Sequence, residues 1–489
     1  MQLTKTDFIH YLQCPESFWL AKKEPEKYPK GEYSLFLQKL INEGYEVESY
    51  VGELFPNAIV LSNFANPLET KGALNKGGET FLQPSFITEK GVFARIDALE
   101  KLADGSWHLY EVKSSVRVSE KPAHNHIYDV CFQKYVLEQN GLVISRCSII
   151  HLNGEFIRKG EIKAEDLLTI TDVTEKVENA FSDIVNKIHA ALQLLKISNL
   201  SYEGCSCLYK TRANHCETFD FFNPDVPQPS IYELKRLFEK KIKELVDSSN
   251  YGLVDVPEGF ELTAGQQLQY NSFVQQEPII NIYSIKKTLT ELEYPLHFFD
   301  YEAYGSAVPK IDGLKPFEQI PFQVSIHSMQ EDGSLSHFEF LCDQLEFPKT
   351  MLKQMQAFTK MEGTFVSWHA SYEIGTNNRM ISWLPEHEQY LEYINTHIFD
   401  LEKVFMKDYV DYRFKGSSSI KKVLPVLVPK LSYKNLNVQD GTMAMDTWGK
   451  IAFDSVSQKE KKQIRQDLLE YCKLDTWAMV EIFKVLQKL

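Results

Sequence analysis

The apolar positions change period several times along the chain, and each change marks an element. Residues 92–102 and 107–112 read as strands joined by Ala103-Asp104-Gly105-Ser106, whose Asp-Gly is a hairpin signal. Residues 81–87 predict a strand leading into that hairpin. After it, the spacing predicts a helix over 126–140, an apolar strand over 143–152 and a long helical stretch over 163–197. Upstream, residues 4–20 predict a helical stretch broken at Cys14-Pro15, with Thr6 or Asp7 as its cap. A second helix is expected over 35–55, and residues 57–80 are expected to be loop with a short strand. Three prolines in residues 222–230 mark a boundary, followed by a helix over 231–247 and a mixed connector over 255–290. Strands then return at 297–303, 321–328, 337–341 and 364–368, with helices over 349–361, after 368, and over 458–489. The pattern predicts an α/β architecture with one domain over 1–222, a helical linker over 223–290 and a second domain over 291–489.

A chain of 489 residues is too long for one ordinary core, which agrees with that division. Hydrophobic content of 43% and aromatic content of 12% describe a globular chain. No run of about 18 apolar residues is present, and MQLTKTDFIHYLQC lacks the basic and apolar regions of a signal peptide, so a cytoplasmic protein is expected. The net charge of −14 argues against a protein that coats nucleic acid. It does not argue against metal chemistry, because metal sites concentrate carboxylates. Basic strips at 113–121 and 413–422 serve either phosphate contact or ordinary surface.

Asp97 falls in the first strand of the hairpin; Glu111 and Lys113, two apart on the second, share a face. Two carboxylates can hold a hard cation through oxygen, and the lysine can orient or deprotonate a water and neutralise transition-state charge. A solvated hairpin face carries the same pairs. The order hairpin, helix, strand favours the catalytic reading. Asp97, Glu111 and Lys113 resemble the site of the PD-(D/E)XK nucleases, and Gln133 on the following helix, with Tyr135 nearby, resembles their RecB-like branch. The resemblance implies a restriction-endonuclease-like domain at the N-terminus.

Eight cysteines in a chain without an export signal are expected to be thiols or metal ligands. Cys131, Cys147, Cys342 and Cys472 lie in apolar runs and read as core. Cys205, Cys207 and Cys216 cluster after the first domain, and Cys14 stands alone near the N-terminus. Four thiolates suit zinc or a [4Fe–4S] cluster. One cysteine before and three after such a core resembles iron–sulfur RecB-like nucleases, including the CRISPR-associated adaptation nuclease and AddB-type enzymes. The trio here runs Cys-x-Cys-x8-Cys where that family has Cys-x2-Cys-x5-Cys.

In the second domain Asp300 and Glu302 share a strand face, Glu373 opens a helix after a strand, and Tyr471 and Asp475 stand at i and i+4 on the last helix. Four carboxylates of this kind clamp two divalent ions about 4 Å apart while a tyrosine positions the water. The set resembles the RNase H-like DEDDy exonucleases, with Glu373 where aspartate is usual. Residues 313–323 (GLKPFEQIPFQ), 419–425 (SIKKVLP) and 471–476 (YCKLDT) resemble an uncharacterised bacterial family that joins a RecB-like domain to a DEDDy-like one. The resemblance implies a two-site nuclease using Mg2+ or Mn2+ at both sites, with DNA the expected substrate and an RNA-directed exonuclease a further alternative, in repair, recombination or defence. In that setting Ser419 and Lys421 contact substrate phosphate, whereas a helix cap explains Ser419 equally well. Asp400 is a further acid near this site; Asp440 and Asp446 have no assigned place. The alternative function is a nucleic-acid-binding or assembly module with one or both sites inert.

Overall fold

The computed structural model describes residues 2–29, 35–61, 66–122, 124–453 and 456–489. Two units are present. The first comprises Met1–Tyr33, Leu37–Val226 and Ala307–Phe317, and the second chiefly Pro227–Ser306 and Glu318–Leu489. Both are mixed α/β, the class the apolar pattern predicts. No helix among the described residues is long and apolar enough to cross a membrane.

The first unit opens with α1 (Lys5–Gln13), α2 (Pro15–Lys23) and α3 (Leu35–Leu54). A Thr4–Asp7 capping box starts α1, and Cys14 separates it from α2, which begins on Pro15. Of the strands that follow, six form one sheet, β1 (Ile59–Val60), β2 (Thr80–Leu82), β3 (Ala98–Lys101), β4 (Trp107–Lys113), β5 (Ile144–Leu152) and β6 (Leu168–Asp172). They lie in the order β6-β5-β4-β3-β2-β1, with β4 and β5 parallel and joined by α4 (His126–Gln139). Helix α5 (Thr174–Leu194) packs on α4, burying Val177, Ile184 and Ile188 with Val130, Phe132 and Val136.

Three expectations change. The strand expected over 92–102 is two: Val92–Arg95 pairs with Ser85–Ile87 and Leu3–Thr4 in a small sheet, while β3 joins the large one. Ile96 donates to the Pro84 carbonyl at 2.8 Å and Gln83 to the Asp97 carbonyl at 3.1 Å, so the paired chains turn a corner together, with Gln83 at φ +59°. Asp97 therefore sits at the corner rather than within a strand. The stretch 163–197 contains β6, an edge strand whose alternating LTITD is hidden between helical sequences. A helix, Pro67–Asn75, capped by Asn66, lies in the region expected to be loop; residues 62–65 of that region are outside those described.

In the second unit, Ile231–Glu233 is a single 3-10 turn and the helix begins only at Glu239, because Arg236 takes φ +55°. The connector holds α6 (Ala264–Gln275), started by a Thr263–Gln266 capping box, and a helix at Ile282–Thr290. The sheet comprises β7 (Leu296–Tyr304), β8 (Ile320–Met329), β9 (Leu335–Leu341), β10 (Thr364–Ser367) and β11 (Ile398–Asp400), in the order β9-β8-β7-β10-β11. The first three are antiparallel, and β10 and β11 run parallel to β7. Helices α7 (Lys349–Thr359), α8 (Ser371–Trp383) and α9 (Glu388–Thr396) cover one face, packing Met351, Met380 and Tyr390 on Phe299 and Tyr301. The opposite face, carrying Leu296, Phe298 and Tyr304, is covered by α10 (Ile420–Leu427), α11 (Gly441–Phe453) and α12 (Gln458–Gln487). Period two therefore turns Asp300 and Glu302 towards α12. Gly363 (φ +71°) leads into β10, and a Cβ there would meet the Pro295 carbonyl at 1.9 Å.

Candidate active sites and metal centre

In the first unit, β4 ends with Glu111 buried and Lys113 two residues on. Lys113 Nζ donates to Glu111 Oε1 at 2.7 Å and also to the Asp129 carboxylate. Lys5, the first residue of α1, donates to the same Glu111 oxygen at 2.5 Å. Gln133 reaches back from α4 and donates to Glu111 Oε2, leaving its own Oε1 buried without a partner. Asp97 Oδ2 accepts the Val112 N–H at 2.7 Å from the corner. The four predicted residues Asp97, Glu111, Lys113 and Gln133 thus meet in one place. Tyr135 does not join them; its hydroxyl lies 3.2 Å from His189 Nε2.

Burial and the neighbouring Glu111 charge push Asp97 up to about 7. Burial would also raise Glu111, but Lys113 and Lys5 outweigh it and hold that carboxyl well below the usual range. Burial would lower Lys113, yet Glu111 and Asp129 keep it protonated. Lys5 and Asp129 were not anticipated. Asp129 lies four residues before Gln133, on the same helix face, so helical spacing offered a signal. Lys5 is 106 residues from its partner and reads locally as part of a helix cap.

The four predicted cysteines also converge. Ligand atoms of Cys14, Cys205, Cys207 and Cys216 lie within 4.8 Å of one another. The Cys205 and Cys216 sulfurs are 3.9 Å apart, close for shared coordination and far beyond a disulfide bond. The close spacing of the first two works because Cys205 precedes, and Cys207 lies inside, a 3-10 turn over Ser206–Tyr209. Glu16 Oε2 accepts the Ser206 N–H at 3.1 Å and its hydroxyl at 3.0 Å, fixing that turn to α2. Asn223 Nδ2 donates to Cys205 Sγ at 3.3 Å. Facing sulfurs hold the Cys216 thiol far below its ordinary value and the Cys14 thiol far above. Such a set fits a thiophilic metal. Cys131, Cys147, Cys342 and Cys472 are buried in the cores, as predicted.

In the second unit Asp300, Glu302 and Asp475 line a cavity of about 410 Å³ together with Lys421, Trp368, Tyr372 and Tyr471, and Glu373 lies close enough to Asp300 to raise it. Strand β7 supplies Asp300 and Glu302, with a register irregularity following Glu302. The first turn of α8 supplies Glu373, 1% exposed, whose Oε2 is buried without a hydrogen-bond partner. From α12 comes Asp475, whose Oδ1 accepts the Tyr433 hydroxyl at 2.6 Å and which Tyr471 also hydrogen-bonds. Burial, then the facing acids, push Asp300 and Glu302 well above the carboxylate range. Burial lifts Glu373 to about 7 and Asp475 to about 6, the latter eased by the two tyrosines and Lys421. Buried acids that discourage one another's ionisation, one with an orphaned oxygen, fit a site for hard cations. A Cβ on Gly441 would sit 3.3 Å from Glu302 Oε2, which leaves that rim of the cleft open.

Other residues find places nearby. Cys472 Sγ lies within 4.8 Å of the Asp300 and Glu302 oxygens. Asp440 caps α11 by accepting the Met443 N–H at 2.8 Å, and its charge adds to the field on Glu302. Asp400 accepts the His369 N–H at 3.1 Å, and Ser419 starts α10 without a side-chain cap bond. Tyr433 was missed: no local pattern connects it to an acid 42 residues later.

A family model described as "Domain of unknown function (DUF2779)" matches residues 297–419. That span holds Asp300, Glu302 and Glu373 but stops before Tyr471 and Asp475. Among curated proteins, "Uncharacterized protein MG366 homolog" of Mycoplasma pneumoniae is 28% identical over 206 residues, 38% of this chain and 31% of its own. "Uncharacterized protein MG366" of Mycoplasma genitalium is 25% identical over 224 residues, 42% of this chain and 34% of its own. "Uncharacterized protein UU173" of Ureaplasma parvum is 26% identical over 218 residues, 39% and 31% respectively. The chain spans about a third of the length of these relatives. A solved chain described as "Crystal structure of SSO0001" covers 44% of this chain and 87% of its own at 13% identity and a TM-score of 0.21, a superposition that carries no argument.

Proposed function

We propose that the chain is a metal-dependent nuclease that hydrolyses DNA phosphodiesters at two separate sites. The observation that carries the reading is the second cleft, where Asp300, Glu302, Glu373 and Asp475 converge beside Tyr471 and Lys421, with Asp300 half-buried and the other three acids buried. Bound Mg2+ or Mn2+ would be held by these four acids and would supply Lewis-acid activation of the attacking water and charge stabilisation. The chain's own groups do the rest. Burial and Asp475 keep the Tyr471 and Tyr433 hydroxyls protonated, so both act as donors that fix the Asp475 carboxylate. Lys421 supplies positive charge at the mouth, where a scissile phosphate would lie. The strand order of this unit supports an RNase H-like exonuclease that removes nucleotides from 3′ ends.

The first unit supports a PD-(D/E)XK-like site. Asp97 and Glu111 would hold the cation, with Gln133 orienting Glu111. Glu111 and Asp129 keep Lys113 protonated in the metal-free chain, so it supplies positive charge beside the phosphate. The four cysteines would hold a [4Fe–4S] cluster or zinc, fastening the α1–α2 junction to residues 205–216.

The test is digestion in Mn2+ against an EDTA control. Asp300→Ala should abolish 3′→5′ digestion, with a loss of at least about 100-fold, while Lys113→Ala leaves it intact. Loss of all activity in the Lys113 variant alone would overturn the two-site reading.

A further inference from the structure

A second cavity of the C-terminal unit, about 340 Å³, is not explained by the carboxylate cleft. Phe405 and Phe414, both buried in the core, back it, and Phe238 lines it 73% exposed. Lys235 and Arg236 sit at its edge. The segment that carries them is firmly built. Gln269 Oε1 accepts the Lys235 N–H at 3.0 Å, and Gln266 Nε2 donates to the Lys235 carbonyl at 2.9 Å, both from α6. Arg236 is held at φ +55°, a conformation that a non-glycine residue adopts only when its surroundings impose it. The facing wall is the 416–418 loop, pressed so closely that a Cβ on Gly416 would lie 1.8 Å from the Glu233 carbonyl.

That loop separates this cavity from the carboxylate cleft. Ser418 lines the cavity, and its carbonyl accepts Trp368 Nε1 at 3.1 Å. Trp368, and Ile420 and Lys421 just after the loop, line the cleft. Asp411 is neutralised by Arg413 through three side-chain bonds, while Glu402 accepts the Ser418 hydroxyl, faces His369 and offsets part of the charge of Lys235, whose Nζ donates to Ser418 Oγ at 3.4 Å. Two cations at the edge, an exposed aromatic ring beside them and the carboxylate cleft on the far side of the loop define one class of ligand.

We infer that this cavity is a base-stacking subsite for single-stranded nucleic acid, with Phe238 stacking a base and Lys235 and Arg236 holding the flanking phosphates, on the same strand whose 3′ end enters the carboxylate cleft. Stacking on an exposed ring tolerates any base, and cations at the edge track the backbone. The inference rests on the nuclease reading for the strand's direction, but not for its binding.

The test is fluorescence anisotropy of a labelled single-stranded oligonucleotide of about a dozen nucleotides in EDTA, with the full chain. Phe238→Ala should weaken binding about tenfold with an unchanged salt slope. Arg236→Ala should weaken it and lower the slope of log affinity against log salt by about 0.7. Lys240→Ala, removing a charge outside the cavity, should change affinity by less than about twofold. Equal affinity in wild type, Phe238→Ala and Arg236→Ala overturns the subsite. Binding lost in those variants by a wild type that hydrolyses nothing in Mn2+ would retire the nuclease reading and leave the subsite standing. Hydrolysis with unaltered binding would do the reverse.

Discussion

Two tyrosines grip Asp475, and they are separable by mutation. Tyr433→Phe removes a 2.6 Å donor from a buried carboxylate and should raise the Mn2+ concentration needed for half-maximal activity about tenfold, since hydrogen bonds to charged groups are worth about 1.5–3 kcal/mol. Tyr471→Phe should lower kcat more than it alters that metal requirement. A titration of rate against Mn2+ distinguishes the two. The raised acids also set a pH dependence. Asp475 near 6 and Glu373 near 7 bind protons more tightly in the metal-free folded chain than when unfolded. Their contribution to stability is therefore full below about pH 4 and is lost as pH rises towards 7. Relative to Glu373→Gln, metal-free wild type should lose Tm across that window, and added Mn2+ should recover it; parallel melting curves would contradict this. At this scale much was legible from sequence. Period two placed Asp300 with Glu302, and i,i+4 spacing placed Tyr471 with Asp475. Tyr433, Lys5 and Asp129 were not, because their partners are fixed only by tertiary packing.

The elements show where pattern reading holds and where it fails. Strands β7 and β8 are buried on both faces and α12 has a continuous apolar stripe, so their signals were strong. Strand β6 is short and lies between helices, and the corner at Ile96-Asp97 interrupts an apolar run without any glycine or proline to announce it. Arg236 ends the expected helix through a backbone conformation that composition does not reveal. Two predictions belong here. Gly363→Ala should destabilise the second unit by several degrees in Tm, because a Cβ 1.9 Å from the Pro295 carbonyl forces the start of β10 to move. Cys14→Ser should remove one of four sulfur ligands and lower bound metal, measured by elemental analysis, together with the Tm of the first unit. Full metal content in that variant would remove Cys14 from the centre.

At the scale of the molecule, each unit gathers its acids at one place, and each gathering has a different balance. In the first, Lys5 and Lys113 offset Glu111; in the second, the acids outnumber Lys421 and raise one another. The net charge of −14 is in part the sum of such sites, which is why it argues against a coating protein without arguing against a nuclease. The class of both units followed from alternating strand and helix periods. The convergence of Cys14 with a trio some two hundred residues later did not follow from local pattern, and came from counting thiols in a chain expected to hold no disulfides. The most direct measurement is digestion of a 5′-labelled single strand in Mn2+ by wild type, Glu111→Ala and Asp475→Ala. The account predicts a ladder of shortened products from wild type and Glu111→Ala and none from Asp475→Ala. A ladder that persists in Asp475→Ala, or no product from wild type, would contradict it.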